Sequence, residues 1–141
     1  MTTILCATRG GEASIRTQEQ AISLAKERQA DLVFFYVADV RFLNQAGAPI
    51  VVDVVTEIEH MGEFLLLMAK ERAEKASVKA DTLVKRGIFR EVLIEAVREV
   101  DAGLVVMGTP DEGSLTQRAM LESIAEAVKQ QTGVETVIIG D

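Results

Sequence analysis

The sequence predicts one α/β domain, an open and mostly parallel sheet of five strands with helices on both faces. Two observations carry the prediction. Short apolar runs alternate with longer segments of helical periodicity along the whole chain, in the order β-α-β-α-β-α-β-α-β. The run Leu32-Val33-Phe34-Phe35-Tyr36-Val37 is continuous rather than alternating, as expected of a strand covered on both sides. Strands separated by helices need right-handed crossovers, and these place helices on the two faces of a parallel sheet. A chain of 141 residues is long enough to bury the core of one such domain, spanning residues 1–141.

Each element has its own local reason. Thr3 to Thr8 is a short apolar run stopped by Gly10-Gly11, a strand and a turn. Ser14 to Gln29 follows as a helix, with Ile15, Ala21, Ile22, Leu24 and Ala25 in helical spacing and Ser14 as its N-cap. The second strand is Leu32 to Val37. Arg41 to Ile50, with Asn44, Gly47 and Pro49, reads as a loop. From Val51 to Ala76 a long helix places Val51, Val54, Val55, Ile58, Met61, Leu65, Met68 and Ala69 on one stripe, which we read as core packing. Gly62 inside it costs up to ~1 kcal/mol against alanine and marks a close approach or a kink. A strand at Val78 to Lys85, a turn at Arg86-Gly87 and a helix from Phe89 to Val100 come next. Leu104 to Met107 is the fourth strand, Leu115 to Gln130 the last helix and Val134 to Ile139 the fifth strand.

Composition narrows the function. A net charge of −7 repels nucleic-acid backbones and anionic lipid surfaces, so neither is an expected partner. No stretch approaches the roughly 20 apolar residues of a membrane helix, and no basic segment leads into a long apolar one. The single cysteine, Cys6, sits between apolar neighbours as a buried structural thiol, and a chain without a disulfide fits a reducing, cytoplasmic setting. His60 lies among Glu57, Glu59 and Glu63 as a solvated helix-face histidine; a metal site is not expected. There is no G-x-S-x-G elbow, and a Ser-His-acid triad would depend on His60, far in sequence from any strand-end serine. No catalytic residue is assigned.

The stretch from Leu104 to Glu126 is the most informative. An apolar strand stops at Gly108 and passes through a polar, acidic loop into a helix, the layout of a phosphate-holding strand-loop-helix unit. Gly108-x4-Gly113-Ser114 has the glycine spacing of a Walker A loop, but the lysine is absent and Leu115 takes the hydroxyl position. Ser114-Leu115-Thr116-Gln117 fits a capping box, which makes the region an ordinary helix start. In an open sheet ligands bind where strand order reverses, at the carboxyl ends of the strands. If the sheet grows outward from the first strand through the second and third, then returns to the fourth, that crevice lies between strands one and four. Thr8 to Gly11 and Gly108 to Gly113 then line it.

Three segments, Ile4-Leu5-Cys6-Ala7-Thr8-Arg9-Gly10-Gly11-Glu12-Ala13-Ser14, Val105-Val106-Met107-Gly108 and Glu122-Ser123-Ile124-Ala125-Glu126, resemble those of the universal stress protein family. The resemblance implies a flavodoxin-like, Rossmann-like sheet in order 3-2-1-4-5. It also implies a two-fold dimer built through the last strand, here Thr136, Val137, Ile138 and Ile139. Some members of the family bind ATP with an aspartate after the first strand and the pattern G-x2-G-x9-G-[ST] after the fourth; others lack the pattern and bind none. By that resemblance Ala7 and Thr8 border an adenosine, Val37 contacts adenine, and Met107, Gly108, Ser123 and Ile124 fall on binding positions.

The departures are specific. Arg9 stands where the family has aspartate, Asp111 and Glu122 replace the second and third glycines, and ten residues rather than nine separate those two. Glycines let backbone N–H groups turn toward phosphate oxygens; side chains close that nest. Carboxylates at Asp111, Glu112 and Glu122 would each cost about 1 kcal/mol at ~4 Å from a phosphate even in water. Arg9 accepts a phosphate bidentately, pairs with Asp111 or Glu122 across the crevice, or stands as an exposed loop arginine. The sequence therefore leads to a non-catalytic, stress-response or regulatory homodimer with a degenerate nucleotide site, no ATP cofactor bound in the usual way, and a client protein of unknown identity. The alternative is an ATP- or AMP-binding switch with weak ATPase or phosphotransfer activity, in which Arg9 and a metal compensate for the lost glycines.

Overall fold

A computed structural model describes residues 2–8, 12–38, 48–108 and 115–139. The chain runs β1 (Thr3–Ala7), α1 (Glu12–Arg28), β2 (Asp31–Ala38), α2 (Ala48–Lys75), β3 (Ala80–Arg86), α3 (Phe89–Glu99), β4 (Ala102–Gly108), α4 (Leu115–Thr132) and β5 (Thr136–Ile139). All strand pairs are parallel and the sheet order is β3-β2-β1-β4-β5, as the resemblance implies. Leu5 in the central strand stands between Val33 of β2 and Val105 of β4.

Strand alternation divides the core into two layers. Ile4, Cys6, Phe34, Leu104 and Val106 pack with Ala21, Ile22 and Ala25 of α1 and Leu66, Ala69 and Ala73 of α2. Leu5, Val33, Phe35, Val105 and Met107 meet Val92, Leu93, Ala96 and Val97 of α3 and Leu121, Ile124 and Val128 of α4. Cys6 is fully buried, and burial pushes its thiol pKa up to about 12. No helix among the described residues is long and apolar enough to cross a membrane.

All four helices stop at a residue of positive φ: Gln29 (53°), Ser77 (65°), Asp101 (53°) and Gly133 (78°). After α2 the N–H of Val78 donates to Ala73 O at 2.9 Å and that of Ser77 to Glu74 O at 3.0 Å, a Schellman turn; Ala30 and Gln29 repeat it after α1. These turns send the chain directly into β2 and β3.

Several sequence expectations are corrected. The first helix begins at Glu12, so Ser14 lies inside its first turn and is not its N-cap. The loop expected to reach Ile50 ends earlier, since α2 starts at Ala48; Pro49 is accommodated in a first turn, where its missing N–H has no intrahelical partner to lose. Val78 and Lys79 precede β3, whereas Arg86 belongs to it, and Val134 and Glu135 precede β5. The largest correction concerns α2. Its sheet-facing side is Val55, Gly62, Leu66, Ala69 and Ala73, so Val55 and Ala69 of the expected stripe lie on it, while Met61 is 60% and Met68 44% exposed and Leu65 is half-buried. Small residues at Gly62, Ala69 and Ala73 let the helix backbone approach the sheet closely, and the methionine stripe is turned to the side. Phe64 and Leu67 are exposed beside it.

Candidate functional site

Because every strand is parallel, all strand-to-helix connections leave from one rim of the sheet, and order reverses there between β1 and β4. Thr8, directly after β1, is 5% exposed and its N–H donates to Phe35 O at 2.8 Å. Its Oγ1 accepts from Gln18 Nε2 at 2.9 Å, and Gln18 Oε1 accepts from Arg72 Nη1. A buried polar relay thus runs from α2 through α1 to the end of β1. Within it Gln18, 4% exposed, uses both ends of its amide. On the other side of the reversal, a Cβ placed on Gly108 would overlap Thr17 Oγ1, so glycine is what lets α1 and β4 close together.

A crevice of about 480 Å³ opens at this point, within the range of roughly 300–1,000 Å³ typical of small-molecule sites. Ala7, Thr8, Val37, Met107, Gly108 and Ile124, six of the positions singled out from the sequence, line it together. Ser123 does not line it but stands next to Ile124 on α4. Arg9 and Asp111, like Glu112, Gly113, Ser114 and the turn at Gly10-Gly11, lie outside the described residues. Glu122 is brought elsewhere. It sits seven residues past the start of α4, about 10 Å along the axis, where its Oε1 accepts from Arg118 Nε at 3.3 Å on an exposed face.

Five lining residues were missed: Ile88, Phe89, Arg90, Met120 and Leu121. The first three come from the connection after β3 and the first turn of α3, the others from α4. The rim rule could have found Ile88 to Arg90, since any residue after a parallel strand emerges on the ligand side; attention to the reversal point alone passed over them. Gly87, at φ 143°, makes the sharp turn that delivers them. Among the described lining residues Arg90 is the one charged group. Its Nη2 donates to Ser123 Oγ at 2.8 Å, bridging α3 and α4 at the mouth. His60 is exposed on α2, and no group of three or more His, Cys, Asp or Glu placed to hold a metal occurs among the described residues.

Residues 1–140 match the universal stress protein family. A universal stress protein of Methanocaldococcus jannaschii is 28% identical over 137 residues, covering 96% of this chain and 80% of that one. One from Bacillus subtilis is 25% identical over 144 residues, covering 96% and 97%. Among solved structures, a universal stress protein of Lactobacillus plantarum superposes with a TM-score of 0.77 at 17% identity, over 99% of this chain and 97% of its own. A universal stress protein in complex with cAMP gives 0.66 at 20% identity (99% and 97%). An Arabidopsis thaliana family protein with AMP bound gives 0.67 at 13% (99% and 91%).

Proposed function

This chain belongs to the universal stress protein family, and we propose that within it the protein is a non-catalytic regulatory module whose crevice receives an adenine nucleoside carrying one phosphate, with ATP disfavoured. The observation that carries this reading is the crevice itself. Its walls at Ala7, Val37, Met107 and Ile124 are apolar and suited to a purine and sugar, with Thr8 and Gly108 offering backbone at the reversal point. The cAMP and AMP of the two ligand-bound family structures share that chemistry, one adenosine and one phosphate. The missing phosphate-loop glycines and the acids Asp111 and Glu112 argue against a longer polyphosphate. The charged group at the mouth is the guanidinium of Arg90, a fork of N–H donors suited to holding an anion.

The same reading includes a homodimer through β5, a client protein and a cytoplasmic setting. Of the two sheet edges, β3 carries Asp81, Lys85 and Arg86, whereas β5 reads Thr-Val-Ile-Ile with all four residues partly exposed. An apolar edge without lysine or proline supports pairing with a second copy. Calorimetry with AMP, ADP and ATP, with and without magnesium, tests the ligand reading. AMP binding at least tenfold tighter than ATP is expected, and micromolar ATP binding as tight as that of AMP overturns it.

A further inference from the structure

We infer that Arg90 and Ser123 form the anion seat of the crevice, replacing the glycine nest as the group that recognises the ligand's single phosphate; this rests on the nucleotide reading above. Arg90 is the second residue of α3, lines the crevice and reaches across to α4, where its Nη2 donates to Ser123 Oγ at 2.8 Å. Two other guanidinium groups are paired with carboxylates: Arg86 donates to Glu59 through Nε and Nη2, and Arg118 to Glu122. No carboxylate among the described residues pairs with Arg90. It is held by a neutral hydroxyl, and among the described residues no acid neutralises it at the mouth of a cleft walled by Ala7, Val37, Met107 and Ile124.

The donor inventory fits one tetrahedral anion. Arginine carries five N–H donors in a fixed fork, and the bond to Ser123 uses one of them. Ser123, by accepting from Arg90, keeps its own O–H to donate in turn. Behind them the first turn of α3 has no side-chain cap, because its N-cap residue is Ile88, which has no polar side-chain atom. Glu91 in the same turn offsets part of the helix dipole, so the guanidinium and the hydroxyl carry the recognition. One arginine matches one phosphate bidentately and offers nothing comparable to a second or third.

Titration of the full chain with AMP and with adenosine, in wild type, Arg90→Gln, Arg90→Lys and Ser123→Ala, tests the seat. Arg90 and Ser123 are both exposed, and thermal melts verify that each variant is folded. Wild type is expected to bind AMP about tenfold or more above adenosine, as a charge-assisted pair requires. Arg90→Gln should lower AMP affinity about tenfold or more and so erase that preference. Arg90→Lys should retain part of it, Ser123→Ala should lose part of it, and added salt should weaken AMP but not adenosine. If Arg90→Gln binds both ligands with the wild-type ratio, the crevice reading stands and the seat assigned here is wrong. If wild type binds neither, both fall.

Discussion

The ring of Tyr36 lies directly on the backbone of Gly62. A Cβ at Gly62 would stand 2.6 Å from Tyr36 Cε1 and 2.8 Å from Cγ, well inside contact distance. The glycine is therefore where α2 comes down onto β2. Gly62→Ala pits two effects against each other. Alanine gains up to ~1 kcal/mol of helix propensity, while overpacking costs about 1–3 kcal/mol. Because the clash includes Cγ, which lies on the χ2 axis, turning the ring about that axis cannot relieve it; the whole side chain would have to leave its place on α2, and overpacking wins. Urea unfolding should show a net loss of about 1–2 kcal/mol; a variant as stable as wild type contradicts the contact.

The two apolar sides of α2 give a sharper contrast. Leu66 is fully buried against the sheet, whereas Met61 is 60% exposed. Leu66→Ala should cost about 2–5 kcal/mol and Met61→Ala under about 0.5 kcal/mol in the same urea experiment. Equal losses would return Met61 to the core.

This contrast also marks what the sequence could and could not disclose. The strands and their alternation with helices were legible, because a fully buried strand has to be a continuous apolar run. The face of α2 was not. Met61, Leu65 and Met68 keep helical spacing just as Leu66, Ala69 and Ala73 do, and periodicity says that a stripe exists without saying which stripe meets the sheet. Choosing the larger side chains failed because close packing here depends on small ones. At the site, Ala7, Thr8, Val37, Met107, Gly108 and Ile124 were recoverable from strand ends and resemblance. Arg90's place on the rim was within reach of the strand-end rule, but its tie to Ser123 was not, since nothing local in Ile88-Phe89-Arg90 points to it; only the crossover of α3 over the sheet brings them together.

Cys6 supplies a pH prediction. The native thiol titrates near 12, against an ordinary value of 9.0. Its contribution to stability is fully present below the unfolded value and is lost as pH rises from about 9 toward 12, where the unfolded thiol ionises and the buried one does not. Cys6→Ala should flatten the alkaline decline in melting temperature. The native thiol should also resist Ellman's reagent at pH 8 and react only on unfolding; rapid labelling of folded protein would contradict its burial.

The proposed β5 dimer can be tested at a chosen N–H. Val105 N–H donates to Glu135 O at 3.0 Å, so backbone groups of Glu135, Val137 and Ile139 point inward to β4, and those of Thr136 and Ile138 point to the open edge. Val137→Pro would break the chain's own sheet, making Ile138→Pro the better probe and Ile138→Ala the control for its lost side chain. Sedimentation should give a dimer for wild type and Ile138→Ala and a monomer for Ile138→Pro. A dimer in all three places the interface elsewhere.

The central claim is that the cleft between β1 and β4 seats an adenine nucleoside with one phosphate in preference to ATP. Methyl NMR of Ala7, Val37, Met107 and Ile124 during parallel titrations with AMP and ATP tests it most directly, because these methyls form the apolar wall. Saturable shifts at those four residues with AMP, reached at concentrations at least tenfold lower than with ATP, are the predicted result. Shifts that saturate first with ATP, or AMP shifts confined to other parts of the molecule, would contradict it.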